Sequence, residues 1–287
     1  MIRIIIFLFV MHVGYARVDM TQHDMEILKK HPMIVQNVTA EELQWIITEE
    51  WMSLVKYCDD LDPGARISAN FDQSLIGTNT LAWASSTLIL QNGIWIPSIS
   101  KKNYPGYDFL IGVNPEPING WHISTDCSDI GYRYDLRTVM RHEMVHGIGI
   151  GSSMSYNNGG ISVGHTFNGQ CYPRIYDSMI EDADGNKVVD GCTVGNIEGK
   201  KLYLNNVQLF NPVTFSTGSS ISHHIYPNEL MFWLLPAGKC ADISTNELKM
   251  LSAVGVHCPG HPLYSAAADR AYPSLFLIPV MLLLFLI

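Results

Sequence analysis

Residues 134–149 read Tyr134-Asp135-Leu136-Arg137-Thr138-Val139-Met140-Arg141-His142-Glu143-Met144-Val145-His146-Gly147-Ile148-Gly149. The first half suits the opening of a helix. On a helix, positions i and i+4 share a face, so His142 and His146 can both reach one metal ion. Glu143 is rotated by about 100° from His142 and can reach a water on the metal's open position. Zinc lowers the pKa of such a water to about 7, and a carboxylate that takes its proton frees hydroxide to attack a peptide carbonyl. The spacing therefore points to metal-assisted hydrolysis, with Glu143 as the base.

Two imidazoles do not complete a catalytic zinc site, which needs three protein donors besides the water. In the pattern HExxHxxGxxH, a Gly at the place of Gly149 lets the chain turn back, and a third His arrives three residues later. Here that place holds Ser152, so the third donor comes from elsewhere. Downstream candidates are His165, His223, His224, His257 and His261, or Glu181 or Glu198 if the enzyme were thermolysin-like.

Ser222-His223-His224 followed by Asn228-Glu229-Leu230-Met231 resembles the leishmanolysin family of metzincin zinc peptidases. In that family a Ser-His pair and a nearby Asn-Glu-Leu-Met segment give the third ligand and the Met-turn, beyond an insertion after HExxHxxG. The resemblance covers about residues 65–257, with its motifs in 142–149 and 222–231. It implies that His142, His146 and His223 bind one catalytic Zn2+, that Glu143 is the base and that Met231 lies beneath the metal. Neighbours in an extended segment point to opposite sides, so only one of His223 and His224 binds, and the position just after Ser222 favours His223. The implied architecture is α+β, a metzincin-like zincin. A twisted sheet and an active-site helix stand above a cleft, and an irregular C-terminal subdomain follows. The strand Asp108–Val113 resembles the edge strand that pairs with substrate backbone. The chain departs from the founding members in two places. Its His223–Met231 interval is shorter, and residues 17–57 contain no Cys that could block the zinc.

Composition fits a chain that can bury a sizeable core. Hydrophobic residues make up 47% and charged residues 16%, which excludes a wholly disordered chain. The net charge of −9, with no basic block, excludes a nucleic-acid footprint. Thr39 with Glu42 forms a capping box ahead of apolar residues at helical spacing from Ala40 to about Lys56. Ala65–Phe71, Leu81–Leu90 and Asp108–Val113 read as strands. Arg174–Glu181 and Lys187–Val189 flank a hairpin turn at Asp182–Asn186, whose Gly is misplaced for a calcium loop. Ser244 with Glu247 caps a short last helix that stops at Gly255. Six Cys in a secreted chain imply three disulfides among 15 connectivities. Pairing sequence neighbours gives Cys58–Cys127, Cys171–Cys192 and Cys240–Cys258.

Both ends read as removable signals. Arg3, the apolar run from Ile4 to Val13 and Gly14-Tyr15-Ala16 describe a secretory signal peptide, 1–16. Small residues, a polar spacer and the run Leu275–Ile287, well short of the ~20 residues needed to span, describe a GPI-attachment signal, 265–287. Between them lie an N-terminal catalytic subdomain (17–151) and a C-terminal subdomain with the third ligand and Met-turn (152–264). Asn37-Val38-Thr39 is a glycosylation sequon. The leading expectation is a cell-surface zinc endopeptidase, acting on protein or peptide substrates and held to the membrane by a lipid anchor. The runner-up is a catalytically silent, GPI-anchored adhesion or binding protein on the same scaffold.

Overall fold

The computed structural model describes residues 14–17, 38–100, 105–157, 160–216 and 218–259. Within them the chain is mixed α+β, with a few helices and several small sheets. Both expected terminal signals lie outside the described residues, apart from 14–16. No described helix is long and apolar enough to cross a membrane.

Helix α1 (Ala40–Tyr57) opens as the sequence predicts. Thr39 Oγ1 accepts from the Glu42 amide at 3.1 Å, and Glu42 returns a carboxylate oxygen to the Thr39 amide at 2.8 Å. Its buried stripe is Leu43, Ile46, Ile47, Trp51 and Leu54, and each such side chain stabilises by about 1.5–3 kcal/mol when fully buried. Glu50 interrupts that stripe. It is buried because helix α2 (Leu136–Ile148) packs against α1 and brings Arg137 Nη1 to 2.7 Å from it, with Arg141 on its other oxygen.

Four strands form the main sheet: β1 (Gly14–Arg17), β2 (Ile67–Phe71), β3 (Thr80–Ser86) and, after the hairpin of β4 (Leu88–Gln91) and β5 (Ile94–Pro97), β6 (Phe109–Val113). Their order is β1-β3-β6-β2, with β2 parallel to β6 and the other pairs antiparallel. Two expectations change here. The stretch Leu81–Leu90 is not one strand, because the chain breaks at Thr87 and passes from β6 as partner to β5. Nor is Asp108–Val113 an edge. β6 has a neighbour on each side, and its nearly unbroken burial is that of an interior strand. The expected cleavage after Ala16 falls inside β1, which pairs Gly14 with Ala84 and Tyr15 with Trp83.

Past α2 the chain is irregular, with short hairpins such as Ser155–Asn157 with Gly160–Ser162. Arg174–Glu181 is not the strand expected. Ile175–Met179 is a short helix, α3, which buries Tyr176 and Asp177. The turn at 182–186 is present, closed by Asp182 N–H to Asn186 O at 2.9 Å, and its flanks pair at Glu181 with Lys187 and at Ile180 with Val188, beyond which Val189–Asp190 pairs with Thr193–Val194. The last helix, α4 (Thr245–Ala253), carries the predicted capping box. One buried apolar cluster runs through α1, the sheet, α2, the irregular half and α4.

The disulfides are Cys58–Cys258, Cys127–Cys240 and Cys171–Cys192. Only the last matches neighbour pairing. Cys58 caps the C-terminus of α1, and the chain beyond α4 returns to that end, so the first bond spans 200 residues.

Candidate metal centre

Helix α2 is fixed at both ends by side chains. Asp135 is its N-cap, accepting from the Thr138 amide at 2.8 Å and its hydroxyl at 2.6 Å. His122, fully buried, lies between Asp135 and Asp129. At the other end Ser86 Oγ donates to the His146 and Gly147 carbonyls at 3.0 and 2.9 Å. Gly147 packs face-on to the sheet, where a Cβ would stand 2.4 Å from the Phe109 ring. Gly149 takes φ 129° to turn the chain off the helix.

That turn does not lead to a third ligand at Ser152. Its hydroxyl donates to the buried carboxylate of Asp177, and its amide donates to Ser222 Oγ at 3.1 Å. Asp177 also accepts from the Ser153 amide and hydroxyl. Burial pushes the Asp177 carboxyl up against the lowering effect of these bonds. The Ser152–Ser222 contact carries the loop after α2 directly to the segment of His223. Just before it, Ile221 has φ 70°, a left-handed conformation that costs a β-branched residue on the order of 1–3 kcal/mol. It is held there by bonds to Phe210 O and from the Tyr176 hydroxyl.

His142, His146 and His223 meet in the interior, all buried. His223 Nε2 is 3.1 Å from His142 Nε2 and 3.3 Å from His146 Nε2. On the far side of each ring, Nδ1 faces a backbone carbonyl: Leu230 for His142 at 2.7 Å, Ile150 for His146, and Ser219 for His223 at 2.9 Å. A carbonyl only accepts, so each Nδ1 carries the proton and each Nε2 presents a lone pair. Burial is the largest cause that pulls these imidazoles towards the neutral form, His142 and His146 down to about 3 and His223 well below its ordinary value. Three lone pairs aimed at one another repel unless a cation lies between them. Two nitrogens bound to zinc at about 2.05 Å and the tetrahedral angle lie about 3.3 Å apart, so the observed spacings fit that ion.

Glu143 is fully buried, and neither of its oxygens has a hydrogen-bond partner among the described residues. Burial raises its pKa well above the usual carboxylate range. A buried orphan carboxylate is costly, which marks this one as kept for something other than stability.

The other candidates lie elsewhere. His224 is buried but turned away from the triad, its Nε2 2.7 Å from Glu247. His165 accepts from Arg174 Nε at 3.0 Å. Glu181 pairs with Lys187 at 2.9 Å, Glu198 is exposed, and the exposed His257 sits beyond α4. His261 lies outside the described residues. Met231 is fully buried, with its amide 2.8 Å from Glu247. Sequence reasoning missed Asp177, the inward role of Glu247 and the Glu50–Arg137 pair. Only Glu50 left a signal, an acid on the apolar stripe of α1. A comparison with family models, curated proteins and solved structures finds no match in any of the three.

Proposed function

We propose that this chain is a zinc-dependent endopeptidase of the leishmanolysin-like metzincin type, displayed at the cell surface on a lipid anchor. One observation carries the reading: three buried imidazoles bring their Nε2 atoms together, next in sequence to a buried carboxylate with no hydrogen-bond partner among the described residues. His142, His146 and His223 would hold the ion. Zinc bound there supplies a Lewis acid that lowers the pKa of a water to about 7. Glu143 takes the proton of the attacking water on a carboxylate oxygen and returns it to the nitrogen of the leaving amine. The carbonyls of Leu230, Ile150 and Ser219 hold the three rings in the metal-binding tautomer.

The test is metal content and proteolysis of the secreted chain. One zinc per chain, casein cleavage that a chelator stops, and loss of cleavage with zinc retained in Glu143→Ala are expected. A chain that binds no zinc, or whose cleavage survives chelation, overturns the reading.

A further inference from the structure

The peptide unit between Leu230 and Met231 is held at both ends. Its carbonyl accepts from His142 Nδ1 at 2.7 Å, and its N–H donates to Glu247 Oε1 at 2.8 Å. The same Oε1 lies 2.7 Å from His224 Nε2, while Oε2 accepts from the Ser244 amide at 2.7 Å. His224 Nδ1 accepts from the Tyr226 amide at 3.3 Å, so its Nε2 carries the proton and donates to the carboxylate. His224 and Met231 close the loop between them, with the His224 amide on the Met231 carbonyl at 3.0 Å. A single carboxylate oxygen from α4 therefore pins both ends of the loop that follows His223. It also grips the peptide that orients His142. Glu247 is fully buried, and although burial pushes its carboxyl up, the hydrogen bonds from His224, Ser244 and the Met231 amide outweigh that and hold it below its ordinary pKa.

We propose that Glu247 is a positioning residue of the metal centre, acting on His142 through the Leu230–Met231 peptide and on His223 through its neighbour His224. The inference rests on the zinc reading above. A charged acceptor at the N–H end polarises a peptide and makes its carbonyl the stronger acceptor. The Leu230 carbonyl then holds the His142 Nδ1 proton more firmly, which fixes the ring and makes Nε2 the better donor to the metal. The chain thus runs carboxylate, amide, imidazole, metal, with a peptide group where a carboxylate commonly bonds the imidazole directly. Glu229 does not share the task. Its oxygens accept from Ser244 Oγ and Asn246 Nδ2, and only Oε2 comes near His224, at 3.4 Å.

The experiment measures zinc affinity on the full chain, with zinc alone as the probe and a chromogenic chelator as competitor. Glu247→Gln keeps the shape and removes the charge. It should weaken zinc binding on the order of tenfold to a hundredfold. Ser244→Ala removes a cap of the same helix without touching the Leu230–Met231 peptide. It should lower Tm yet leave zinc affinity within twofold, which a merely structural role for Glu247 would not separate. Zinc affinity in Glu247→Gln within twofold of the parent overturns the inference. A parent that binds no zinc overturns the zinc reading instead, so the two failures are distinguishable. Should Glu247→Gln not fold, hydrogen exchange on the parent decides. Slow exchange of the Met231 amide is expected, and exchange at the rate of an open loop refutes the link.

Discussion

Glu143→Gln separates what this side chain does for catalysis from what it costs the fold. Both carboxylate oxygens are buried without a partner among the described residues, and burial alone drives the pKa upward. An unsatisfied buried polar group costs about 1–3 kcal/mol, and more when charged. The amide keeps the volume and a polar end but removes the charge, so the zinc-free variant should gain on the order of 2 kcal/mol at pH 7. For a chain of this size about 1 kcal/mol moves Tm by about 2–4 °C, so a rise of about 4–8 °C is expected. Peptide cleavage by the zinc-loaded variant should fall by at least about a hundredfold, the low end of what a lost general base costs. Calorimetry of the chelated proteins and a quenched-peptide assay of the loaded ones read both effects. A Tm that falls, or cleavage within tenfold of the parent, would refute the argument that this carboxylate is kept for chemistry against stability.

The remaining predictions address the ligands, the fold and the anchor. His223→Ala should lose zinc, measured by mass spectrometry of the purified chain, whereas His165→Ala should keep one zinc, since Arg174 is its partner. Removing the Cys58–Cys258 bond by paired Ala substitution should cost about 5 kcal/mol in a denaturant titration, the chain-entropy value for a loop of 200 residues. Glu50→Ala takes from the Arg137 guanidinium its buried partner but leaves Glu49 at 2.9 Å, and should destabilise by about 1.5–3 kcal/mol, whereas a loss under about 1 kcal/mol would mean that Glu49 alone satisfies the guanidinium. Glu247 has a folded pKa below its ordinary value of 4.5, so its stabilisation is present above pH 4.5 and fades as pH falls through the folded pKa. Glu247→Gln should lack that part of the acid loss when Tm is followed from pH 6 to pH 3. Phosphatidylinositol-specific phospholipase should release the protein from intact cells, and retention with residues 275–287 present would establish a spanning segment instead.

The sequence made local facts legible and long-range ones not. Both capping boxes, the helix of His142 and His146 and the stop at Gly255 follow from residues within four positions of each other, and the structure has them. The α+β class follows from the same local patterns. Strand order did not follow, because β6 reads alike whether it sits at an edge or between neighbours. The disulfides failed for a related reason. Proximity in sequence is a poor guide when α4 returns to the end of α1 across 200 residues.

The third imidazole shows how such distance is bridged. Between His146 and His223 the chain makes short hairpins and a five-residue helix, none of which forms a rigid rod from one ligand to the next. Position is set instead by buried polar bonds that reach across the gap. Ser152 reaches Ser222, Tyr176 reaches the Ile221 carbonyl, and Leu230 reaches His142. Each group is fully or nearly buried, so breaking one leaves an unsatisfied partner at about 1–3 kcal/mol, with no water to replace it. The penalty makes the arrangement all-or-none where apolar packing alone would let the segment slide. That explains why Ile221 tolerates a left-handed backbone: the bonds on both sides of it outweigh the strain. Tyr176→Phe removes one of these bonds without changing the core volume. It should leave the fold intact, lower Tm by a few degrees and weaken zinc binding, because His223 follows Ile221 by two residues. If zinc affinity in Tyr176→Phe equals that of the parent while Tm falls, the strained turn is held by packing, and the polar bridges do not set the ligand's place.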